Sequence, residues 1–167
     1  MLFFAINIAF YIVPCIGLSR DKKRETEPPK NQGVTVIIAW HNEEQNLKTN
    51  IPLIQQQQYP NFEIIAVDDN STDGSFEFLS GIEGIKVLKS RGKGTKEALS
   101  QAIWKATHEI LLFTDADCRP ASDKWIAETV GNFDCANPML LGYGELEGKS
   151  FWAKFSAYDS MVIALQY

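Results

Sequence analysis

Cysteine is scarce in this chain, three in 167 residues, and Cys15, Cys118 and Cys135 fall in no paired spacing. That pattern argues against a disulfide framework and against a zinc ribbon. Histidine is scarcer, with two residues; His41 and His108 have no partner in sequence and carry no special claim. No Gly-x-Gly-x-x-Gly fingerprint occurs, and no Walker A loop, so the familiar glycine-rich phosphate signatures are missing. A basic excess is missing as well: the formal charge is −5, from 16 basic and 21 acidic residues. Nucleic acid is therefore not an expected partner. What remains is ordinary globular composition, 45% hydrophobic and 22% charged, which excludes disorder and collagen-like repeats.

Charge is absent from one place in particular. Residues 1–18, MLFFAINIAFYIVPCIGL, carry none, and Arg20, Lys22, Lys23 and Arg24 follow directly. An 18-residue helix would span roughly 27 Å, close to a bilayer's hydrocarbon thickness. A secretory signal places its positive charge before the apolar run, and here the order is reversed. The expectation is a transmembrane helix over 1–18 with the following chain on the cytoplasmic side. A buried core helix, or one lying on a membrane surface, is the alternative. Residues 19–32 are polar, include Pro28-Pro29, and read as a tether. Residues 1–30 balance at +2 and the remainder at −7, so local cations must serve any anionic ligand.

Four short β-branched runs organise residues 33–167: Val34–Ala39, Glu63–Val67, Ile85–Leu88 and Ile110–Thr114. Helix-like stretches separate them, a spacing that suits βα units and parallel strands covered on both faces. The first helix is expected from an Asn42 N-cap, with Gln45 in capping-box position, to about Gln57. Pro52 predicts a kink or two shorter pieces. Further helices are expected over Gly74–Ser80, Thr95–Ala106 and Ala121–Phe133. The third shows a stripe of Ala98, Leu99, Ala102, Ile103 and Ala106.

Ligands of parallel α/β sheets gather at the carboxyl ends of the strands. Each run here ends in a polar cluster: Trp40-His41-Asn42-Glu43, Asp68 to Asp73, Arg91-Gly92-Lys93-Gly94, and Asp115-Ala116-Asp117. Asp115 and Asp117 stand two apart at a strand end, so both carboxylates can point one way. Two hard oxygen donors favour Mg²⁺ or Mn²⁺. The plainer reading makes Asp117 a turn residue before Pro120. Asp68 and Asp69 could accept hydrogen bonds from a base or ribose, or serve turn chemistry only, with Asp73 capping the next helix. The Arg91–Gly94 loop sets cations between glycines ahead of a helix amino end, an anion site or a solvated turn. Glu43 could bind a ligand or favour the first helical turn. Cys118 reads as a small packing residue.

The segments VTVIIAWHNEEQNL, EIIAVDDNSTDGS, RGKGTKEAL and ILLFTDADCRP resemble, in order and spacing, the amino-terminal motifs of family 2 glycosyltransferases. The resemblance covers Val34 to Phe133. It implies an α/β GT-A fold, a Rossmann-like sheet with helices on both faces, incomplete at the carboxyl end. It also implies a UDP- or GDP-sugar donor, a divalent cation, and inversion at the sugar carbon. Carried onto this sequence, Ala39, Asn42 and Glu43 would line the nucleotide pocket and Asp68 and Asp69 would recognise the base. Lys93 would lie near base and phosphates, Asp115 and Ala116 near ribose and metal, and Asp117 on the metal. The acceptor would be a glycan or a lipid-linked sugar.

The family's catalytic base belongs to an acidic motif past the metal pair, and none is present here. The base is accordingly expected beyond Tyr167, and residues 33–167 read as the donor-binding part of a membrane-anchored enzyme. Three other readings compete. A response-regulator receiver also uses strand-end acids, but Val34–Ala39 would be a surplus strand and no strand-end lysine follows. A haloacid-dehalogenase-type phosphatase expects Thr or Val where Arg119 stands. A non-catalytic nucleotide-sugar-binding module is the third.

Overall fold

The computed structural model describes residues 32–92 and 94–133, together with 139, 140, 142 and 144. The expected membrane segment, the tether apart from Gln32, and Lys93 lie outside the described residues. Among the described residues no helix is long and apolar enough to cross a membrane.

Among the described residues eight elements alternate strictly: β1 (Val34–Trp40), α1 (Glu44–Gln55), β2 (Phe62–Asp68), α2 (Ser75–Ser80), β3 (Ile85–Lys89), α3 (Thr95–Lys105), β4 (Ile110–Asp115) and α4 (Trp125–Gly131). The four strands match the expected runs to within one residue at either end. All pairings are parallel and the order is β3-β2-β1-β4. Every strand therefore ends at one edge. The chain builds outward from β1 through β2 to β3, then returns to β1's other side for β4. A receiver-type sheet instead places its second and third strands on opposite sides of the first. This order departs from that reading.

The side-chain alternation of β1 separates two cores. Val34, Val36, Ile38 and Trp40 face a cluster with Leu47, Ile51 and Ile54 of α1, Leu79 of α2, and Ile126 and Val130 of α4. Ile37 faces the other way, joining Ile65 and Val67 of β2 against Ala98 and Ala102 of α3. Consecutive strand residues point to opposite faces, so a run buried at every position needs helices on both sides. β1 and β2 fit that expectation. β3 and β4 do not, because they border the described sheet and their residues are mostly half-buried or exposed.

Several helix expectations change. α1 is one continuous helix through Pro52. A proline forfeits its own amide bond to the carbonyl four residues back, while the amide of Gln56 still reaches the Pro52 carbonyl at 3.1 Å. Burial of Leu47, Ile51 and Ile54 along one stripe holds the helix together. Asn42 is not its cap, because it sits at φ 58° in the left-handed region. Glu43 takes the N-cap position, and the Asp73 carboxylate, from another loop, accepts the Glu44 amide at 3.1 Å. In α3, Ile103 is 44% exposed, and the small Ala98 and Ala102 make the close contact with the sheet. α4 begins at Trp125 rather than Ala121. The Ser122 hydroxyl first accepts the Lys124 amide at 3.1 Å, so those residues form a turn.

Candidate donor-binding and metal site

Because the strands run parallel, their four polar loops emerge along one edge, and the loops are tied to one another. The Asp69 amide donates to the Trp40 carbonyl and the Ser90 amide to the Asp68 carbonyl, both at 2.8 Å. The register pairs Ala39 with Asp115 and Trp40 with Asp68. β1's end thus lies between the two acidic loops. β4 lies beside β1 on the side away from β2, so Asn42 and Glu43, after β1, and Asp115 to Asp117, after β4, emerge from neighbouring strand ends.

The loop after β1 is locked to the loop after β2. The Asn42 amide donates to Ser71 Oγ at 2.9 Å, and Asn42 Oδ1 accepts the Thr72 amide at 2.7 Å. His41 completes the link. Its Nδ1 lies 2.7 Å from the Asp69 carbonyl, which can only accept, so Nδ1 carries the proton. Nε2 then accepts from Asn42 Nδ2 at 3.2 Å. Glu43 is half-buried and accepts from Asn46 Nδ2 at 2.6 Å.

Asp68 and Asp69 have different surroundings. Asp68 is 1% exposed, and its Oδ1 accepts the Ser71 amide, three residues on, at 2.9 Å, closing the loop over it. Its carboxylate is thus engaged by the backbone of its own loop, unlike that of Asp69. Asp69 is half-buried, and its Oδ1 accepts the Gly94 amide at 2.9 Å. Asn70, in the left-handed region at φ 61°, donates to the Gly92 carbonyl at 2.8 Å. The glycine loop is thereby held against the loop after β2, and α3 starts from it. Asp73 accepts from the Ser75 amide and hydroxyl as well as from Glu44. These bonds, the Ser75 hydroxyl foremost, lower its pKa against a smaller opposing effect of burial.

At the end of β4, Ala116 is 4% exposed, whereas Asp115, Asp117 and Cys118 are exposed. One ligand atom from each of these three lies within 4.8 Å of the others. The turn that gathers them is closed by the Cys118 amide donating to the Asp115 carbonyl at 3.1 Å. Cys118 is thus not the packing residue expected. Burial raises its thiol pKa, and the Asp117 and Asp115 charges raise it further. The two exposed carboxylates suit a hard divalent ion that keeps waters, while the Cys118 thiol beside them is a soft donor that such an ion does not favour. On donor chemistry the two carboxylates fit Mg²⁺ or Mn²⁺.

Two buried polar side chains under this site have no counterpart in the sequence reading. Asn50 Nδ2 donates to the Ala116 carbonyl at 2.9 Å. Gln57 donates from Nε2 to the Ser122 carbonyl at 2.8 Å and accepts the Ile126 amide at 3.1 Å. The signal was present: Asn50 interrupts the apolar stripe of Leu47, Ile51 and Ile54, and a buried polar residue requires a partner.

The chain belongs to glycosyl transferase family 2, whose sequence pattern matches residues 35–141. It is 28% identical over 115 residues to the poly-beta-1,6-N-acetyl-D-glucosamine synthase of Staphylococcus aureus strain COL, covering 66% of this chain and 28% of that protein. It is also 28% identical over 116 residues to glycosyltransferase AglE of Haloferax volcanii, covering 65% of this chain and 38% of that one. The chain thus spans about a third of the length of these curated relatives. Among solved structures, it resembles the mannosyltransferase PcManGT of Pyrobaculum calidifontis, solved with GDP-Man and Mn²⁺. That match has a TM-score of 0.65 and 26% identity, covering 77% of this chain and 40% of that one.

Proposed function

We propose that residues 33–167 form the donor-binding part of an inverting glycosyltransferase that takes its sugar from a UDP- or GDP-sugar. The observation that carries this is the placement of Asp115 and Asp117 at the end of β4, beside the end of β1 that carries Asn42 and Glu43. Ligands of open α/β sheets gather at such strand ends. PcManGT, similar in fold, was solved with GDP-Man and Mn²⁺.

In this reading Asp69 and the loop to Gly94 close over the base. The amino end of α3, which follows that loop, offers backbone donors toward the diphosphate. Asp115 faces ribose and metal with Ala116 beneath it, and Asp117 holds the ion. A divalent ion bound there supplies positive charge against the charge developing on the departing diphosphate. Ala39, in register with Asp115, keeps the floor between the two loops small. Lys93 adds a cation from the glycine loop. The acceptor is a glycan or lipid-linked hydroxyl, and no described residue is assigned as its base. Residues 1–18 anchor the chain in a membrane and 19–32 tether it, with the donor site on the cytoplasmic side.

The test is calorimetric titration of the whole chain with UDP- and GDP-sugars, with and without Mn²⁺. Metal-dependent binding that is lost in Asp117→Asn supports the reading. Absence of binding by any sugar nucleotide refutes it, and metal-independent binding that survives Asp117→Asn favours a non-catalytic binding module. Co-flotation with liposomes, lost on deleting 1–18, tests the anchor.

A further inference from the structure

We propose that Asn50 is the positioning residue of the Asp115–Asp117 turn: its side-chain amide, reaching up from α1, sets the direction in which the two carboxylates emerge. This rests on the donor-site reading above and adds to it a residue from a segment that carries no ligand-binding motif.

Asn50 sits mid-helix, 6% exposed, on the face of α1 that otherwise buries Leu47, Ile51 and Ile54. Its Nδ2 crosses 66 positions of sequence to the Ala116 carbonyl at 2.9 Å. Ala116 is the middle residue of the turn and is itself buried. With that residue held inward, the carboxylates on either side are exposed and converge with the Cys118 thiol within 4.8 Å. The inside of the turn is closed separately by the bond from the Cys118 amide to the Asp115 carbonyl. That bond fixes the turn's shape, and the Asn50 bond fixes its tilt on the protein. A buried carbonyl demands a donor. Without one the turn must rotate to bring the Ala116 oxygen to water, and both carboxylates rotate with it.

α1 grips the same loop again further along. Gln57 holds the Ser122 carbonyl at 2.8 Å, and the Gln58 amide donates to the Asp123 carbonyl at 2.7 Å. These contacts hold the approach to α4 and do not touch the acidic turn. They therefore provide a control that separates positioning from general loosening of the loop. Because α1 begins beside Asn42 and Glu43 and carries Asn50 in its interior, one element links the loop after β1 to the Asp115–Asp117 turn.

The experiment compares Asn50→Leu, Asn50→Ala and Gln57→Leu in the whole chain. Asn50→Leu keeps the volume and removes the donor, while Asn50→Ala removes the donor without adding bulk or burying a charge and suits a helix interior, which supplies a second variant if the first unfolds. Mn²⁺ uptake is read from loss of the free-ion EPR signal, with and without UDP or GDP, and folding from the thermal midpoint. Removing the support behind a metal site typically weakens metal binding about 10- to 100-fold, and that loss is expected in both Asn50 variants. Gln57→Leu is expected to lower the midpoint and leave Mn²⁺ affinity unchanged. Undiminished Mn²⁺ affinity in a folded Asn50 variant, or an equal loss in Gln57→Leu, overturns the proposal. The alkylation rate of Cys118 is a metal-free readout of the same turn. An unchanged rate in both Asn50 variants overturns the proposal whether or not Mn²⁺ binds. No Mn²⁺ uptake by the wild-type chain in the presence of UDP or GDP overturns the donor-site reading instead.

Discussion

Asp69 Oδ1 accepts the Gly94 amide at 2.9 Å, so a carboxylate at the end of β2 holds the glycine that opens α3. Gly94 has φ 100° and ψ 147°, a conformation reserved almost entirely for glycine. A Cβ there would meet nothing within 4 Å. Substitution therefore costs backbone strain and no clash. Gly94→Ala is expected to destabilise the fold by about 1–3 kcal/mol, measured by urea unfolding, and to weaken UDP or GDP binding by releasing the loop. Gly94→Ala with wild-type stability would contradict the strained backbone.

Asp68 and Asp69 should separate cleanly in experiment. Asp68→Ala leaves the half-buried Ser71 amide without its acceptor, a loss of about 1 kcal/mol in stability. Asp68→Asn keeps an acceptor oxygen and should recover most of it. Asp69→Asn should leave the unfolding midpoint near wild type while weakening nucleotide binding. Unfolding curves and nucleotide titrations on the three variants decide it, and the assignment fails if Asp68→Asn and Asp69→Asn lose nucleotide equally.

The acid limb of stability follows from Glu63, at the edge of the sheet opposite the candidate site, and from Asp73, in the loop after β2. Burial would raise the Glu63 pKa. The Thr107 amide, the Thr35 and Thr107 hydroxyls and the His108 charge outweigh it, and the pKa falls below its ordinary 4.5. Asp73 is lowered likewise from 3.8. A carboxylate whose folded pKa lies below its unfolded one contributes stability that is complete above the unfolded value. That stability is lost as pH falls through the folded one. Stability should therefore hold down to about pH 4.5 and decline below it. Glu63→Gln should be less stable at pH 7 and show a shallower acid decline, read from urea midpoints between pH 7 and pH 3.

Cys118 is exposed, yet its thiol is held protonated at neutral pH. Burial contributes most to this, followed by the neighbouring Asp117 and Asp115. Iodoacetamide needs the thiolate. Labelling at Cys118, followed by peptide mass spectrometry, should be slow at pH 7.5 and climb steeply above pH 9. Asp117→Asn should accelerate it several-fold at fixed pH by removing one adjacent charge. Equal rates in the two proteins would show that the carboxylate does not act on the thiol.

Much of the edge was legible in the sequence because its signals are local. A short apolar run followed by Asp-x-Asp or Asp-Asp-x-Ser-x-Asp announces a strand and a polar loop within a dozen residues. The misreadings came from contacts made across the fold. Asn42 looks like a cap for α1 until Asp73, from the next loop, takes the Glu44 amide at 3.1 Å. Ile103 looks like a core residue until the narrow alanine face of α3 decides which turn meets the sheet. Cys118 looks like packing until the β4 turn brings it out beside two carboxylates.

By itself the sequence determined four parallel strands with their polar ends on one edge, and the family to which those motifs belong. Hydrophobic period and turn chemistry act over a few residues, so the chain carries them openly. Only the tertiary structure decided that Asp68 faces inward and Asp69 faces the loop to Gly94, that His41 bridges two loops, and that Asn50 bears on Ala116. Each of those outcomes depends on which hydrogen-bond partner becomes available once water is excluded. The partners stand 3 residues away for Asp68, 25 for Asp69, 28 for His41 and 66 for Asn50. Except for the Asp68 turn, no local pattern in the chain brings such groups together; the packing of α1 and α3 on the two faces of the sheet does.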